Sequence, residues 1–245
     1  MTEFLLAVQF LTSFPLKIKH YSAEKKAGSV IFFPVVGLLL GFLLAGINGI
    51  SGILGFGAFP GAVILVVGLV VLTAGMHIDG LSDTFDAFLS GKPKEEMLLI
   101  MRDPHAGAMG VLSIISALLL EVALLFSIPA PAKTIALLLA CIISRWSAVL
   151  QMFVFPYARQ DGKAGVFIKG MNHRIFFTSA IITFLLVLII ARLKGLLVLF
   201  LITLISFLLG RASEKKINGI TGDTLGSTIV ITEIFIFFTM YCLEG

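Results

Sequence analysis

Charged residues are scarce in this chain. Asp, Glu, Lys and Arg make up 13% of its 245 residues, about half of their share in an ordinary soluble domain. Hydrophobic residues make up 58%, and the mean hydropathy is +1.09. This composition excludes a typical soluble protein and predicts an integral membrane protein.

Cysteine is nearly absent as well. Cys141 and Cys242 lie in apolar segments at unrelated positions, so neither a disulfide framework nor a cysteine metal site is expected. The sequence has no low-complexity tract, no convincing repeat and no segment with the composition of a soluble domain. Residues 1–245 are therefore predicted to form a single integral-membrane domain.

Long apolar runs predict an all-α fold, a polytopic membrane helix bundle with about seven transmembrane helices of roughly 20 residues each. Residues 1–15 are too short to span a bilayer and lack the basic start and cleavage site of a secretory signal, so we expect a short interfacial or re-entrant helix there. The predicted spans are 28–50, 58–78, 106–126, 132–155, 174–191, 193–210 and 224–243.

The basic residues are distributed unevenly between the two sides of the predicted bundle. If the N-terminus is cytoplasmic, 14 of the 18 Lys and Arg residues fall in four inside segments, which also carry nearly everything polar. The positive-inside rule therefore predicts a cytoplasmic N-terminus and an external C-terminus. Topology and anionic membrane surfaces account for the pI near 9.1, so no nucleic-acid partner is needed.

The stretch MHIDGLSDTFDAF, residues 76–88, places three aspartates at the end of an apolar span. On a helical wheel Asp83 lies about 40° from Asp79, and Asp86 lies about 20° from Asp79 on the other side. Three carboxylates on one face repel one another, and a divalent cation held by oxygen ligands, Mg²⁺ or Mn²⁺, would remove that cost. The alternative is a solvated acidic helix end. Gly80 would let a phosphate or a second helix approach closely.

The stretch MRDPHAGAMG, residues 101–110, precedes the third span. Gly107 and Gly110 lie on one side of its helix start, which fits a backbone that approaches something closely. Arg102 and His105 could reach a phosphate, and Asp103 could cap the helix or join the metal site. A plain helix cap followed by small-residue packing is an equal alternative.

Arg145 lies deep within a predicted span, where an arginine is costly enough to require a partner. That partner is predicted to be Glu121, Glu233 or an anionic ligand. The loop that follows, YARQDGKAG, offers Arg159 and Lys163 for a pyrophosphate, although positive-inside charge alone could explain Lys163.

The stretch NGITGDTLGSTIVITE, residues 218–233, begins the last span. The free backbone N–H groups of a helix start favour an anion, so Thr221 and Asp223 are candidate substrate-binding residues. Asp223 could equally serve only as the helix cap.

Seven motifs resemble one family in order along nearly the whole chain. They are QFLTSFP, FFPVVGLLLG, HIDGLSDTFDAF, MRDPHAGAMG, SRWSAV, YARQDGKAG and NGITGDTLGSTIVITE. The chain is similar in these motifs to the cobalamin synthases, the adenosylcobinamide-GDP ribazoletransferases of the bacterial inner membrane.

This resemblance implies a catalytic domain that joins α-ribazole, or its 5′-phosphate, to adenosylcobinamide-GDP with release of GMP. It also implies a requirement for Mg²⁺, a multi-pass location in the inner membrane and an active face in the cytoplasm. Asp79, Asp83 and Asp86 are then the expected catalytic and metal-binding residues. A homo-oligomer stays open.

Two other functions remain alternatives. A CDP-alcohol phosphotransferase that makes lipid needs an alanine–arginine pair soon after the first DG, and DGLSDTFDAF has no arginine there. A secondary transporter would use buried Arg and Glu, but transport sites lie near the midplane of the bilayer, whereas most charge here lies at one face.

The distribution of Lys and Arg predicts the side of each terminus. A reporter that is active only outside the cytoplasm should be active when fused to the C-terminus, because the positive-inside rule places that end on the far side. A fusion ending in the second inside segment, after Lys94, should report the opposite side. C-terminal fusions that work only with a cytoplasmic reporter would contradict this topology.

Overall fold

The computed structural model describes residues 1–16, 18, 21–162 and 164–244. Within these residues the regular structure is helical, apart from an isolated bridge between Tyr157 and Ile220. A 3₁₀ turn at Ser29–Phe32 leads into the third helix. The α-helices are α1 Thr2–Leu11, α2 Ala23–Gly28, α3 Phe33–Ile53, α4 Ala58–Leu72, α5 Met76–Leu89, α6 Lys94–Ile100, α7 Ala108–Ser127, α8 Ala130–Val154, α9 Gly165–Lys169, α10 His173–Ile217 and α11 Gly222–Glu244.

The predicted all-α polytopic bundle is confirmed. Five helical runs in the described chain are long and apolar enough to cross a membrane: the run Ala23–Ile53, and α7, α8, α10 and α11. The apolar helix α4 passes the same test only together with α5 as a sharply bent pair, which would make six. The predicted number of seven is therefore not confirmed.

Helix α8 is the centre of the bundle. Every residue from Ala136 to Met152 is buried, and α3, α10 and α11 all pack on it. Glycines allow the closest of these approaches: a Cβ added at Gly41 would lie 2.9 Å from the Cα of Leu138. Small residues at such contacts let two membrane helices pack backbone to backbone.

Helix α10 folds back on itself near its middle. Arg192 has φ 50° and ψ −137°, which interrupts the helix. The indole of Trp146 packs on the ring of Phe176 at 5.4 Å and also donates a hydrogen bond to Thr203. In one straight helix residues 176 and 203 would be about 40 Å apart. The two halves therefore lie side by side, which supports the two separate spans predicted on either side of Arg192.

The predicted span 58–78 is wrong at its end, because the helix stops at Leu72. Ala74 and Gly75 both have positive φ, 52° and 67°, a conformation that cannot continue a right-handed helix. The chain turns there by 87° into α5. Hydropathy could not detect the bend, since Ala74 and Gly75 have no polar side chain to interrupt the apolar run. The aspartates thus lie on a separate helix outside the five spanning runs.

A buried ion pair joins α8 to α11. Arg145 is 0% exposed, and its guanidinium pairs with the carboxylate of Glu233, which is 2% exposed. The hydroxyl of Ser144 accepts a further hydrogen bond from Arg145 at 2.9 Å. Of the partners predicted for Arg145, the structure therefore identifies Glu233.

The described residues of the four predicted inside segments meet at one end of the bundle, called here the polar end. These segments are residues 15–26, 79–107, 156–174 and 211–227. The ammonium group of Lys26 lies 5.1 Å from the centre of the Phe167 ring, which joins the first segment to the third. Lys216 donates a hydrogen bond to the carbonyl oxygen of Phe88 at 2.7 Å, which joins the fourth to the second. The polar and charged side chains of these segments therefore lie on one surface of the folded chain.

The buried ion pair of Arg145 and Glu233 predicts how single and double substitutions change the stability of the protein. Arg145→Met should lower the stability of the protein by about 3–5 kcal/mol, because it leaves the Glu233 carboxylate buried without a counter-charge. Arg145→Met/Glu233→Met should recover much of that loss, since neither charge then remains. Thermal unfolding in detergent measures both.

Lys133→Ala, near the start of the same helix, is the control and should have a much smaller effect. Equal, near-wild-type stability and activity of the Arg145 and Lys133 variants would show that the pair has no such role.

Candidate active site

Helix α5 presents the three aspartates on one regular helix. Asp79 is exposed, and Asp83 and Asp86 are half-buried. On the opposite side of the helix Leu81 is buried against Ala117 of α7 and Val230 of α11. Packing of the apolar side therefore fixes the direction in which the carboxylates point.

Gly80 brings α11 against the aspartate helix. A Cβ at this position would lie 2.8 Å from the carbonyl oxygen of Asp223 and 3.1 Å from its Cα. One turn further along α11, a Cβ on Gly226 would lie 3.3 Å from the Cα of His77. Of the two roles predicted for Gly80, approach of a phosphate or of a second helix, the structure shows the helix.

An ion pair connects the loop after α8 to the start of α11. The guanidinium of Arg159 lies 2.8 Å from the carboxylate of Asp223. Backbone hydrogen bonds hold the loop there: Ala158 donates to Ile220, and Ile220 donates to Pro156, each at 2.9 Å. Two predicted substrate-binding residues are thereby brought together beside the aspartate helix.

The negative charges of this cluster outweigh the positive charge among them. The pKa of the Asp83 carboxyl is raised to about 7, first by partial burial and then by the charges of Asp79, Asp223 and Asp86, while Arg159 acts in the opposite direction. The repulsion predicted between the aspartates is therefore present, and Asp223 adds to it. A cation would relieve it.

Asp86 is the N-terminal cap of α7. Its carboxylate accepts hydrogen bonds from the backbone N–H groups of Gly107 at 2.7 Å and Gly110 at 2.8 Å. A Cβ on Gly110 would overlap this carboxylate. The close backbone approach predicted for the two glycines is confirmed, and the group approached is Asp86.

The turn before α7 is exposed. Asp103 accepts hydrogen bonds from the backbone N–H of His105 at 2.9 Å and from its imidazole Nδ1 at 2.7 Å. The first of these bonds, followed by the second, lowers the pKa of Asp103. The prediction that Asp103 caps the helix is wrong, because Asp86 holds the helix start. Within the described chain the hydrogen bonds of its carboxylate are with His105 and not with the aspartate helix.

Tyr157 is a part of the site that the sequence did not single out. Burial raises the pKa of its phenol, and the nearby positive charges of Arg159 and Arg102 oppose that rise. Arg102 is exposed, and because its charge acts on Tyr157 together with that of Arg159, it lies near the same polar surface. A lone tyrosine beside the loop Pro carries no spacing signal from which this position could have been inferred.

Thr221 is buried and caps α11. Its hydroxyl accepts a hydrogen bond from the N–H of Thr224 at 3.2 Å and donates one to the Asp223 carboxylate at 3.3 Å. The predicted binding residue thus holds the helix start and orients Asp223. Arg145 pairs with Glu233 in the bundle interior, and Lys163 lies outside the described residues.

The carboxylates of the site suit a hard cation. In the described chain no three His, Cys, Asp or Glu side chains stand close enough together to hold a metal ion by themselves. Mg²⁺, however, commonly takes one or two carboxylates and completes its shell with water and substrate phosphates. Asp79 and Asp83 fit that mode, and both carboxylate oxygens of Asp86 are already hydrogen-bonded to α7.

Comparison with known proteins assigns the chain to a family. The sequence model of cobalamin-5-phosphate synthase matches residues 3–241. The chain belongs to this family. Three relatives named adenosylcobinamide-GDP ribazoletransferase illustrate the likeness. The protein of Roseiflexus sp. (strain RS-1) is 37% identical over 235 residues, which cover 96% of this chain and 87% of the relative.

The other two relatives are similarly complete. The protein of Desulforamulus reducens is 34% identical, with 95% of this chain and 93% of the relative covered. For the protein of Clostridioides difficile (strain 630) the identity is 32%, and the coverage is 99% and 98%. No solved structure matches significantly. The family resemblance read from the seven motifs is confirmed.

The contact between Asp86 and α7 can be tested from both sides. Asp86→Asn should lower the stability by about 1–2 kcal/mol, since an amide offers one acceptor where two backbone N–H groups now bind. Gly110→Ala should have a similar effect, because the new methyl group displaces the carboxylate. Both variants would be compared with wild type by thermal unfolding.

Met109→Ala, an exposed neighbour on α7, is the matched control. If Asp86→Asn and Gly110→Ala unfold at the wild-type temperature, Asp86 does not hold α7.

Proposed function

We propose that this chain is an adenosylcobinamide-GDP ribazoletransferase. It joins α-ribazole, or α-ribazole 5′-phosphate, to adenosylcobinamide-GDP and releases GMP, the last attachment of the lower ligand of cobalamin. The observation that supports this most strongly is the family match over residues 3–241. The matched region contains α5, whose aspartates face more negative than positive charge at the polar end.

The reaction exchanges one phosphorus–oxygen bond for another. A ribazole hydroxyl oxygen attacks the phosphorus that bears cobinamide, and the bond from that phosphorus to the oxygen of GMP breaks. GMP leaves with the bonding electron pair, and the hydroxyl proton passes to a base. A carboxylate of the Asp79, Asp83 and Asp86 set would receive this proton.

Negative charge on the pyrophosphate has to be neutralised for this transfer. We infer that Asp79 and Asp83 are the principal ligands for Mg²⁺. Asp86 would contribute while it holds the start of α7. When bound, the ion would neutralise the pyrophosphate and support the leaving phosphate.

Positive side chains of the polar end would bind the rest of the pyrophosphate. Arg159 is the best placed, since its ion pair with Asp223 sets it beside Asp83. Arg102 and His105 would add hydrogen-bond donors for an anionic substrate at the rim. Lys163 lies outside the described residues, and its charge alone makes it a further candidate. Gly80 and Thr221 would not touch the substrate; they would fix the position of α11. Arg145 would stabilise the bundle through its ion pair with Glu233 and would not touch the substrate either.

The bilayer is the environment that the apolar helices require. We propose that the chain is a multi-pass protein of the cell inner membrane, with its N-terminus and the polar end in the cytoplasm. Nucleotide substrates are made there, and the distribution of Lys and Arg favours that orientation. A homo-oligomer is compatible with this arrangement.

One measurement separates the three functions considered. Purified protein should release GMP only when adenosylcobinamide-GDP and α-ribazole, or its phosphate, are both supplied with Mg²⁺. A lipid-making CDP-alcohol phosphotransferase would instead release CMP from a CDP-alcohol. A transporter would release no nucleotide and would move a substrate across sealed vesicles.

The aspartate helix carries the sharpest prediction of this function. Asp83→Asn keeps the size of the side chain and removes its charge, so turnover should fall about a hundredfold or more if one metal contact supplies several kcal/mol in the transition state. Protein level and membrane insertion should be nearly unchanged, because the residue lies on the helix after the bend and outside the five spanning runs.

Glu95→Gln, an exposed carboxylate of the same polar end, is the control and should retain wild-type turnover. Wild-type turnover of Asp83→Asn, with the same Mg²⁺ dependence, would show that Asp83 is not an essential ligand.

A further inference from the structure

Four helices each bring one polar side chain to a small cavity beneath the aspartate helix. Thr73 comes from the end of α4, His77 from α5, Glu121 from α7 and Glu233 from α11. Their exposed fractions are 4%, 5%, 2% and 2%. The rest of the wall is apolar. Polar groups so deep in a membrane protein need partners, because neither lipid nor water can supply them from outside.

One of these groups has its hydrogen-bonding capacity unused. The Nε2 atom of His77 is buried and has no hydrogen-bond partner among the described residues. The hydroxyl of Thr73 donates to the carbonyl of Leu69 at 2.9 Å, so it can only accept in the cavity. Glu233 already receives Arg145, yet a carboxylate has lone pairs for further donors.

The size of the cavity limits what can occupy it. The cavity has a volume of about 10 Å³, which is room for one water molecule. A buried water needs two to four polar partners, and the cavity offers His77, Glu121, Glu233 and the hydroxyl of Thr73. A larger ligand does not fit.

We propose that a single water molecule binds in this cavity, and that His77 and Glu121 act through it as positioning residues for the aspartate helix. The water donates its two hydrogens to the carboxylates of Glu121 and Glu233. Nε2 of His77 donates to the water oxygen.

The location of this bridge explains why it would matter for catalysis. The chain turns by 87° between α4 and α5. Ala74 and Gly75, both with positive φ, interrupt the helix there. Asp79 follows His77 by two residues. The bridge therefore fixes the beginning of α5 to α7 and α11, and with it the first carboxylate of the proposed site. The catalytic consequence rests on the proposed ribazoletransferase function, but the water site does not.

A double-mutant cycle tests the bridge. His77→Phe and Glu121→Leu should each lower the apparent melting temperature in detergent by several degrees and reduce kcat about tenfold, with less than a twofold change in KM for adenosylcobinamide-GDP. The double variant should be no worse than the worse single variant, because both break the same bridge. Glu121→Gln should keep most of the stability and turnover, since its amide can still accept from the water.

Val71→Leu, an apolar change at an exposed position of α4 outside the cavity wall, is the control and should change neither quantity. Multiplicative losses in the double variant, or an unchanged His77→Phe protein, would overturn the proposal. So would a map of about 2 Å resolution that shows the cavity dry. If the wild-type protein releases no GMP, the proposed function fails, and the melting temperatures alone still decide the bridge.

Discussion

The contact between α5 and α11 at Gly80 is the constraint on which the candidate site depends. Because Gly80 has no side chain, the backbone of Asp223 comes within 3.1 Å of the position that a Cβ would take. This approach brings the start of α11 to the aspartate face. The loop that carries Arg159 is hydrogen-bonded to the chain just before α11, so it arrives at the same place. A larger residue at position 80 would separate both groups from the carboxylates.

The same helix is held on its other side through one of its own charges. Asp86 binds two backbone N–H groups at the start of α7, where the helix dipole favours a carboxylate. Its negative charge is therefore partly balanced within the fold. Asp83 has no such hydrogen-bond donor among the described residues, and burial, followed by the charges of Asp79 and Asp223, raises the pKa of its carboxyl. Three aspartates that look equivalent in sequence thus divide into one that caps α7 and two whose carboxylates accept no hydrogen bond within the described chain.

The all-α polytopic bundle could be predicted from the sequence, because the bilayer requires long apolar runs to form helices. The common face of the aspartates and the need of a deep Arg145 for a partner followed from local spacing and the cost of buried charge, whereas the choice of Glu233 over Glu121 came only from the structure. The bend at Ala74 and Gly75 could not be predicted, since both residues are apolar. The capping of α7 by Asp86 also escaped prediction, because it links positions 24 residues apart and Asp103 offered a nearer cap.

The two groups of charges in this protein differ in what they can do for a substrate. Arg145 and Glu233 satisfy each other in the interior, where separating them would leave two buried charges without partners. A ligand that crossed the bundle there would have to meet that cost, which disfavours transport. At the polar end four carboxylates face one arginine, and water can reach them. An excess of negative charge at an accessible surface is stabilised by a divalent cation, and a bound cation in turn attracts a pyrophosphate. The charge that is unfavourable in the free protein is therefore the feature that the proposed phosphoryl transfer would use.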